Sequence, residues 1–586
     1  MNTIKASTHN RAAFSLKLSA ISLAILFAAG CAGPTTNADN ADLSKSEKEQ
    51  QQSAAVKQGE QENQRERLGE IQTSQKQHMT RFATTGDSYV SPVAISSMKH
   101  NIMPAPSHSE KYQNIDENGV KQVSIAPVST FSIDVDTGSY TNTRRMLNQG
   151  ALPPKDAVRI EEFINYFDYD YVAPSTIEQA FSVNTALSVA PWNENRHLLR
   201  IGLKGYEPQE VMSKGSNLVF LLDVSGSMNQ TNKLPLLKRS LTMLTKQLSA
   251  TDKVSIVVYA GASGVVLEPT NGNDEIAISQ ALNALEAGGS TNGAAGIQQA
   301  YQLAEKAFIK DGVNRVILAT DGDFNVGMTD QDALIDLIKL NREKGIALTT
   351  LGFGQGNYND YLMEQLANAG NGNYAYIDNI NEARKVLVDE LQSTMQIIAK
   401  DVKIQVEFNP ATVAEYRLIG YENRALANED FNNDKVDAGD IGAGHTVTAL
   451  YELSLVESKD KYNDDLRYAN KTKAQTMKNS EIAQVKLRYK QANSDNSQLV
   501  QEIVTTDQIT QFSEQADDFR FATAVASFAQ NIKLSKFSNT LNYTWIVDTA
   551  QSAKGHDEFG YRSEFIQLVR TSIELTDNRI ALDANQ

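Results

Sequence analysis

The chain contains a single cysteine, Cys31, in 586 residues. An intramolecular disulfide needs two cysteines and a structural thiolate cluster needs several, so both are excluded. The 7 histidines are scattered without the HxH or HExxH spacing of a metalloenzyme, and neither a P-loop nor a GxSxG serine motif occurs. The absence of these signatures favours a binding protein over an enzyme.

Positive charge is also scarce. Lysine and arginine total 55 against 71 aspartate and glutamate residues, which gives a net charge of −16 at pH 7. A nucleic-acid partner would require a basic patch, and none stands out along the chain. We therefore expect no nucleic-acid binding. A hydrophobic content of 41% and a mean hydropathy of −0.38 are otherwise typical of globular proteins.

Long hydrophobic runs are rare, but one extends from Leu18 to Ala29 behind three basic residues. It is too short to span a bilayer as a mature helix and fits the apolar core of an export signal. The following sequence FAAGCAG resembles the lipobox of bacterial lipoproteins, with Ala28 where that motif usually has leucine. The resemblance implies that Cys31 is lipidated and becomes the mature N-terminus, with ordinary signal-peptide cleavage as the alternative. Ala32 after the cysteine favours the outer membrane, so we expect a lipid-anchored cell-envelope protein that faces the periplasm.

Residues 32–125 contain few large apolar side chains. Between Ala41 and Thr80 the chain is rich in glutamine, mixed with lysine, glutamate and serine. Such a segment cannot bury enough surface to offset the entropy that is lost on ordering. We expect a flexible linker here, which separates the anchor from the folded part of the protein.

From Asn217 onward, strands and helices alternate. NLVFLLD has the continuous apolar character of a buried strand, and five leucines from Leu234 to Leu248 then follow at spacings of three and four, as on one face of a helix. Further strand candidates begin at Val254, Arg315, Ala347 and Asn373. This order predicts a doubly wound α/β domain over residues 215–398, with a mostly parallel sheet that is covered on both faces.

The sequence DVSGSM follows the first of these strands and carries Asp223, Ser225 and Ser227. In open α/β sheets, ligands bind at the carboxyl ends of the strands, where this loop should lie. A carboxylate with two hydroxyls is an all-oxygen set of ligands, which suits a hard cation such as Mg²⁺ and is poor for zinc or copper. The loop is therefore a candidate metal site.

DVSGSM closely resembles the metal-ion-dependent adhesion site of von Willebrand factor type A domains. That site also uses a threonine from a later loop and an aspartate after a later strand, and Thr291 in GGSTNGAAG and Asp321 in LATDGD match both. The resemblance implies a site for Mg²⁺ or Mn²⁺ formed by Asp223, Ser225, Ser227, Thr291 and Asp321. In this family an aspartate or glutamate of a protein partner typically completes the coordination. The structural alternative is that the serines cap a helix and Asp321 makes a turn.

The flanking segments resemble a bacterial lipoprotein family that carries this domain. The resemblance is carried by FSIDVDTGSYTNTRRMLNQG from Phe131, DAGDIGAGHTVTALYE from Asp437 and GHDEFGYRSEFIQLV from Gly555. The first of these also contains the triplet Asp-Thr-Gly of aspartic proteases, but that mechanism needs two carboxylates and no second triplet exists.

The type A domain is predicted to be inserted into a β-sandwich-like unit with additional C-terminal helices. Alternating apolar residues indicate strands in FSVNTALSVA and HLLRIGLKG before the domain, and in VKIQVEF, VTALYELSL and QVKLRYK after it. We expect residues 180–205 to pack with 399–505. The predicted organisation is a signal peptide (1–31), a flexible linker (32–125), an N-terminal region with strands (126–214), the type A domain (215–398) and a C-terminal domain rich in strands and helices (399–586).

Two functions remain open at this point. The first is a lipid-anchored adhesion or scaffold protein that binds an acidic protein ligand through the divalent cation. The alternative is a hydrolase-type envelope enzyme whose catalytic site lies outside the metal loop.

Overall fold

The structure is a computed structural model that describes residues 110–208, 214–290, 293–322, 331–464, 480–492, 494, 496–538 and 542–583. The predicted signal peptide, Cys31 and most of the predicted linker lie outside these residues. Among the helices within the described ranges, none has both the length and the apolar character that a bilayer span requires.

The described residues contain 17 strands and 12 helices, numbered here in chain order. The strands are β1 (Lys121–Gln122), β2 (Val128–Ser132), β3 (Phe181–Ala190), β4 (Asn193–Gly205), β5 (Ser216–Asp223), β6 (Lys253–Tyr259), β7 (Ser263–Asn271), β8 (Val313–Thr320), β9 (Ala347–Phe353), β10 (Tyr374–Ile377), β11 (Ile397–Phe408), β12 (Val413–Ile419), β13 (Ile441–Gly442), β14 (Thr446–Leu455), β15 (Glu481–Gln491), β16 (Ser497–Thr505) and β17 (Ile509–Thr510). The helices are α1 (Gly138–Asn148), α2 (Ile160–Ile164), α3 (Leu234–Thr245), α4 (Glu275–Asn283), α5 (Gly293–Lys306), α6 (Gln331–Glu343), α7 (Asp360–Ala369), α8 (Ile380–Arg384), α9 (Leu391–Met395), α10 (Asp517–Ile532), α11 (Tyr543–Ser552) and α12 (Tyr561–Asp583).

The predicted α/β domain is confirmed. Its six-stranded sheet has the order β10-β9-β8-β5-β6-β7, and all neighbouring strands except β6 and β7 are parallel. On β5, Leu218, Phe220 and Leu222 face one hydrophobic core, whereas Val219 and Leu221 face the other. Helices therefore cover both faces, and the continuous apolar run of the central strand follows from this double burial. The antiparallel edge strand β7 was not predicted.

The predicted insertion into a β-sandwich is also confirmed. One sheet has the order β1-β12-β14-β4-β3-β17, and the other has the order β13-β11-β15-β16 with β2 also paired to β11. Strand β4 from before the α/β domain pairs with β14 from after it, with Leu203 opposite Val447. Ile201 on β4 and Ile404 and Val406 on β11 belong to the core between the two sheets. Both ends of the α/β domain are thus joined to the same unit.

A layer of helices covers the outer face of the first sheet. Phe521 and Phe528 on α10 and Phe565 on α12 share one core with Leu198 and Leu450 of the sheet. Burying a side chain of this size stabilises the fold by about 1.5–3 kcal/mol. Alternating apolar residues indicate one buried face for β14, but nine of its ten residues are buried because this layer covers the other face.

The end of the predicted linker is another difference. Residues 110–125 are packed against the rest of the fold: Val123 is 1% exposed, and Lys121 and Gln122 pair with β12. Glu110 forms a buried ion pair with Arg145 of α1 at 2.8 Å. The buried Val123, the strand pairing with β12 and the ion pair of Glu110 thus hold this segment against the fold, although its composition is largely polar.

A cluster of buried ionisable groups lies where the sandwich, α2 and the α/β domain meet. Its buried carboxylates are Asp134, Asp136, Glu161, Glu162 and Glu364, and its cations are the buried Arg159 and the partly buried Arg424. Burial raises the pKa of Asp136, the charge of Asp134 adds to this rise, and Arg424 opposes it. Burial is likewise the main cause of the raised pKa of Glu161, Glu162 and Glu364.

We expect these groups to make the free energy of unfolding fall as the pH rises from about 5 to about 9. A carboxyl group with a raised folded pKa binds more protons in the folded state, so its stabilisation is present below the unfolded pKa and is lost as the pH passes the folded value. Urea denaturation of the wild type and of Asp136→Asn at several pH values would measure the effect. The variant should lose less stability, by up to about 1.4 kcal/mol per pH unit. The exposed Asp311→Asn is the control, and equal slopes in all three proteins would contradict the expectation.

Candidate metal centre

The loop that follows β5 brings three of the predicted ligands together. Asp223 is 0% exposed, and its Oδ1 accepts a hydrogen bond from the backbone N–H of Ser225 at 2.8 Å. The Oγ atoms of Ser225 and Ser227 lie 2.9 Å apart. Ser225 is buried whereas Gly226 and Ser227 are exposed, so the loop opens to solvent on one side.

Asp321 reaches the same edge of the sheet from the neighbouring strand. Strands β5 and β8 are parallel, with Leu222 opposite Ala319. The next residues, Asp223 and Thr320, are therefore opposite each other, and Asp321 directly follows Thr320. The hydroxyl of Thr320 donates to Oδ2 of Asp223 at 3.0 Å. The pKa of Asp223 is raised to about 6, mainly by burial and in addition by the charge of Asp321, while the hydrogen bonds from Ser225 and Thr320 act in the opposite direction. Asp321 is also 0% exposed.

A second loop, residues 288–290, is bonded to the first. The N–H of Gly288 donates to the carbonyl of Val224 at 2.8 Å, and the N–H of Gly226 donates to the carbonyl of Gly289 at 3.1 Å. Gly289 has φ +82°, a conformation that favours glycine. Thr291, two residues after Gly289, lies outside the described residues. Its role as a ligand therefore stays a prediction.

Lys233 is part of this site and was missed from the sequence. It directly precedes α3, and its Nζ donates to Oδ2 of Asp321 at 2.8 Å. The side chains of Lys233 and Asp321 are 3% and 0% exposed. A lysine in front of an amphipathic helix is commonplace, so no signal in the sequence marks this one as a neighbour of Asp321.

The chemistry of the donors fits a hard divalent cation. Carboxylate oxygens of Asp223 and Asp321 and hydroxyl oxygens of Ser225 and Ser227 are the ligand types that Mg²⁺ and Mn²⁺ take. Within the described ranges, no group of three or more His, Cys, Asp or Glu side chains is arranged to hold a metal. The proposed site contains two carboxylates, and its other ligands are hydroxyls. It is therefore compatible with this finding.

Three family models match the chain along most of its described length. The model for the von Willebrand factor type A domain matches residues 217–390, and a second von Willebrand factor model matches residues 106–200. The model described as "Uncharacterized protein YfbK, C-terminal" matches residues 393–575. The matches cover the α/β domain and both of the regions that flank it.

Comparison with individual proteins extends these matches. The Escherichia coli K12 protein YfbK is 48% identical over 474 residues, which is 80% of this chain and 82% of that protein. Inter-alpha-trypsin inhibitor heavy chain H3 from Pongo abelii is 24% identical over 278 residues, which is 43% of this chain and 30% of that protein. A solved von Willebrand factor type A structure from Catenulispora acidiphila covers 69% of this chain and 91% of its own, with 15% identity and a TM-score of 0.39. The chain belongs to the YfbK family, and its α/β domain is a von Willebrand factor type A domain.

Proposed function

We propose that this protein binds an acidic protein partner through a divalent cation, Mg²⁺ or Mn²⁺. Asp223, Ser225, Ser227, Thr291 and Asp321 would hold the cation. The observation that carries the proposal is the meeting of Asp223, Ser225 and Ser227 in one solvent-open loop at the carboxyl end of a central strand. Asp321, from the neighbouring strand, supplies the second carboxylate.

The ligand set supports a role in binding rather than in catalysis. The two carboxylates carry two negative charges, and the hydroxyls are neutral. Because Lys233 already compensates part of this negative charge, a divalent cation would keep a net positive charge in the site. When bound, the cation would supply an electrophilic position for the carboxylate of a partner's aspartate or glutamate. The exposed side of the loop at Gly226 and Ser227 is where such a partner would approach. A role in protein–protein contact is also what a type A domain suggests, and the comparisons offer no support for the hydrolase alternative.

The proposed location is the cell envelope, with a lipid on Cys31 that anchors the protein in the outer membrane facing the periplasm. This part of the proposal rests on the export signal and the lipobox-like sequence around Cys31. The linker would then separate the lipid from the folded unit that carries the metal loop.

Asp223→Asn and Asp223→Ala are expected to weaken Mg²⁺ and Mn²⁺ binding by at least about tenfold, because each removes a full negative charge next to the cation, which corresponds to about 1.4 kcal/mol or more. The asparagine variant keeps one oxygen that accepts from the N–H of Ser225, and its amide N–H can donate to the hydroxyl oxygen of Thr320, so the fold should be retained. Isothermal titration calorimetry of the purified chain measures the affinity. Glu268→Ala, which removes an exposed carboxylate from the same domain, is the matched control.

Capture of proteins from envelope extracts, in Mg²⁺ and in EDTA, tests the partner. A partner that is retained in Mg²⁺, released by EDTA and lost with Asp223→Asn supports the proposal. A measurable metal affinity that is equal in the wild type and Asp223→Asn would contradict the proposal.

A further inference from the structure

We propose that Lys233 is an internal cation that holds Asp321 when no divalent cation is bound, and that it lowers the affinity of the site for that cation. The inference rests on the proposed metal site and concerns its regulation. Its starting point is the ion pair between Nζ of Lys233 and Oδ2 of Asp321 at 2.8 Å, in which both side chains are almost fully buried.

The fold holds the lysine in this position. Its carbonyl accepts the hydrogen bond from Leu237 in the first turn of α3, so its backbone is fixed at the start of the helix. Its aliphatic chain packs over Gly354, in the loop after β9, and a Cβ at that position would collide with the chain. Gly354 has φ +79°, and its carbonyl accepts a hydrogen bond from the hydroxyl of Tyr376. The loop is thus shaped to let the lysine pass to Asp321.

The two carboxylates of the site are compensated unequally. Asp223 accepts hydrogen bonds from two neutral groups, the N–H of Ser225 and the hydroxyl of Thr320. Asp321 accepts from a full positive charge. Two buried carboxylates close together destabilise each other unless a cation lies beside them. Lysine supplies one positive charge, whereas a divalent cation would supply two.

The positive charge of Lys233 therefore opposes the binding of a divalent cation at this site. If the ammonium group of Lys233 stays beside Asp321, it and the divalent cation repel each other at short range in a region of low dielectric constant. If the cation takes the oxygen that Lys233 holds, the buried ammonium loses its counter-charge and must move. Both routes cost free energy. The site should therefore fill only at higher concentrations of free cation, or together with a partner carboxylate that adds negative charge.

Lys233→Met tests this directly, since methionine keeps much of the aliphatic length over Gly354 and removes the charge. We expect the full chain with Lys233→Met to bind Mn²⁺ at least about tenfold more tightly than the wild type in calorimetry. In EDTA the variant should melt at a lower temperature, because two buried carboxylates lose their cation, and Mn²⁺ should raise its melting temperature by more than that of the wild type. Lys246→Met, an exposed lysine directly after α3, is the control and should change neither quantity. Lys233→Gln is the second variant if the methionine variant does not fold.

The outcomes separate this inference from the proposed function. Tighter Mn²⁺ binding by Lys233→Met or Lys233→Gln, including binding by a variant when the wild type binds none, supports the inference. Equal or weaker binding by both variants, with a wild-type affinity that depends on Asp223, overturns the inference and leaves the metal site standing. Lys233 would then be a residue that positions Asp321. If neither the wild type nor the variants bind Mn²⁺, the proposed metal site itself is wrong and the inference fails with it.

Discussion

Replacing Arg144 by alanine is expected to lower the free energy of unfolding by about 3–5 kcal/mol, because it would leave buried carboxylates without a counter-charge. Arg144 lies on α1, and its side chain is 2% exposed. Its Nη2 contacts Oδ1 of Asp378 at 2.5 Å and Oε2 of Glu382 at 2.9 Å, and its Nη1 contacts Glu564 at 2.9 Å. Burial already raises the pKa of Glu382, an effect that Arg144 opposes, so removing the arginine would raise this pKa further.

Urea denaturation at neutral pH measures the loss. The matched control is Lys214→Ala, whose partner Asp311 is 58% exposed and whose own side chain is 67% exposed. An exposed pair of this kind contributes about 0–1 kcal/mol. A loss with Arg144→Ala that is no larger than with Lys214→Ala would mean that water or rearranged side chains replace the arginine.

The position of Arg144 explains why its effect should be large. Asp378 and Glu382 belong to the type A domain, where they follow β10 and lie on α8, whereas Glu564 belongs to the C-terminal helix α12. One guanidinium group therefore joins the N-terminal region, the type A domain and the C-terminal helices. Arg159 also joins the N-terminal region to the type A domain, through Asp360 at the start of α7 at 2.5 Å. These buried ion pairs, together with the strands at both ends, connect the type A domain to the rest of the fold at several points.

Local patterns predicted the α/β domain and the loop that carries three of the five proposed ligands. The apolar run of β5 is long enough to indicate double burial, and Asp223, Ser225 and Ser227 follow it at the one edge where loops of a parallel sheet converge. The prediction that strands on both sides of the domain pair with each other also followed from local alternation, because an isolated hairpin of β3 and β4 would not be stable.

What could not be predicted depends on contacts between distant residues. Arg144 and Glu382 are 238 positions apart, and neither stands in a motif that would mark it as buried. The second buried face of β14 exists only because the layer of helices covers it, so alternation within the strand predicted just one face. Lys233 and Asp321 are 88 positions apart, and their meeting depends on the order of strands in the sheet and on the shape of the loop at Gly354.

Replacing Cys31 by serine is expected to abolish lipid attachment and to move the protein from the membrane fraction to the soluble fraction. Serine keeps the size of the side chain but removes the sulfur, and no other cysteine in the chain can take its place. Membrane binding through acyl chains grows with every buried methylene group by about 0.8 kcal/mol, so loss of the attachment point should change the distribution almost completely. Cells grown with a labelled fatty acid would provide the measurement, through the label on the isolated protein and its distribution after a salt wash.

The label is the decisive readout, because it reports attachment at this cysteine directly, whereas the distribution between fractions also depends on cleavage of the export signal. The wild type should carry the label and Cys31→Ser should carry none. Ala28→Leu, which supplies the residue usual in a lipobox, is the matched control and should be labelled at least as well as the wild type. Label on Cys31→Ser would disprove attachment at this cysteine. An unlabelled wild type would mean that the signal is cleaved in the ordinary way, and that the folded unit with its metal loop is released from the membrane rather than tethered to it.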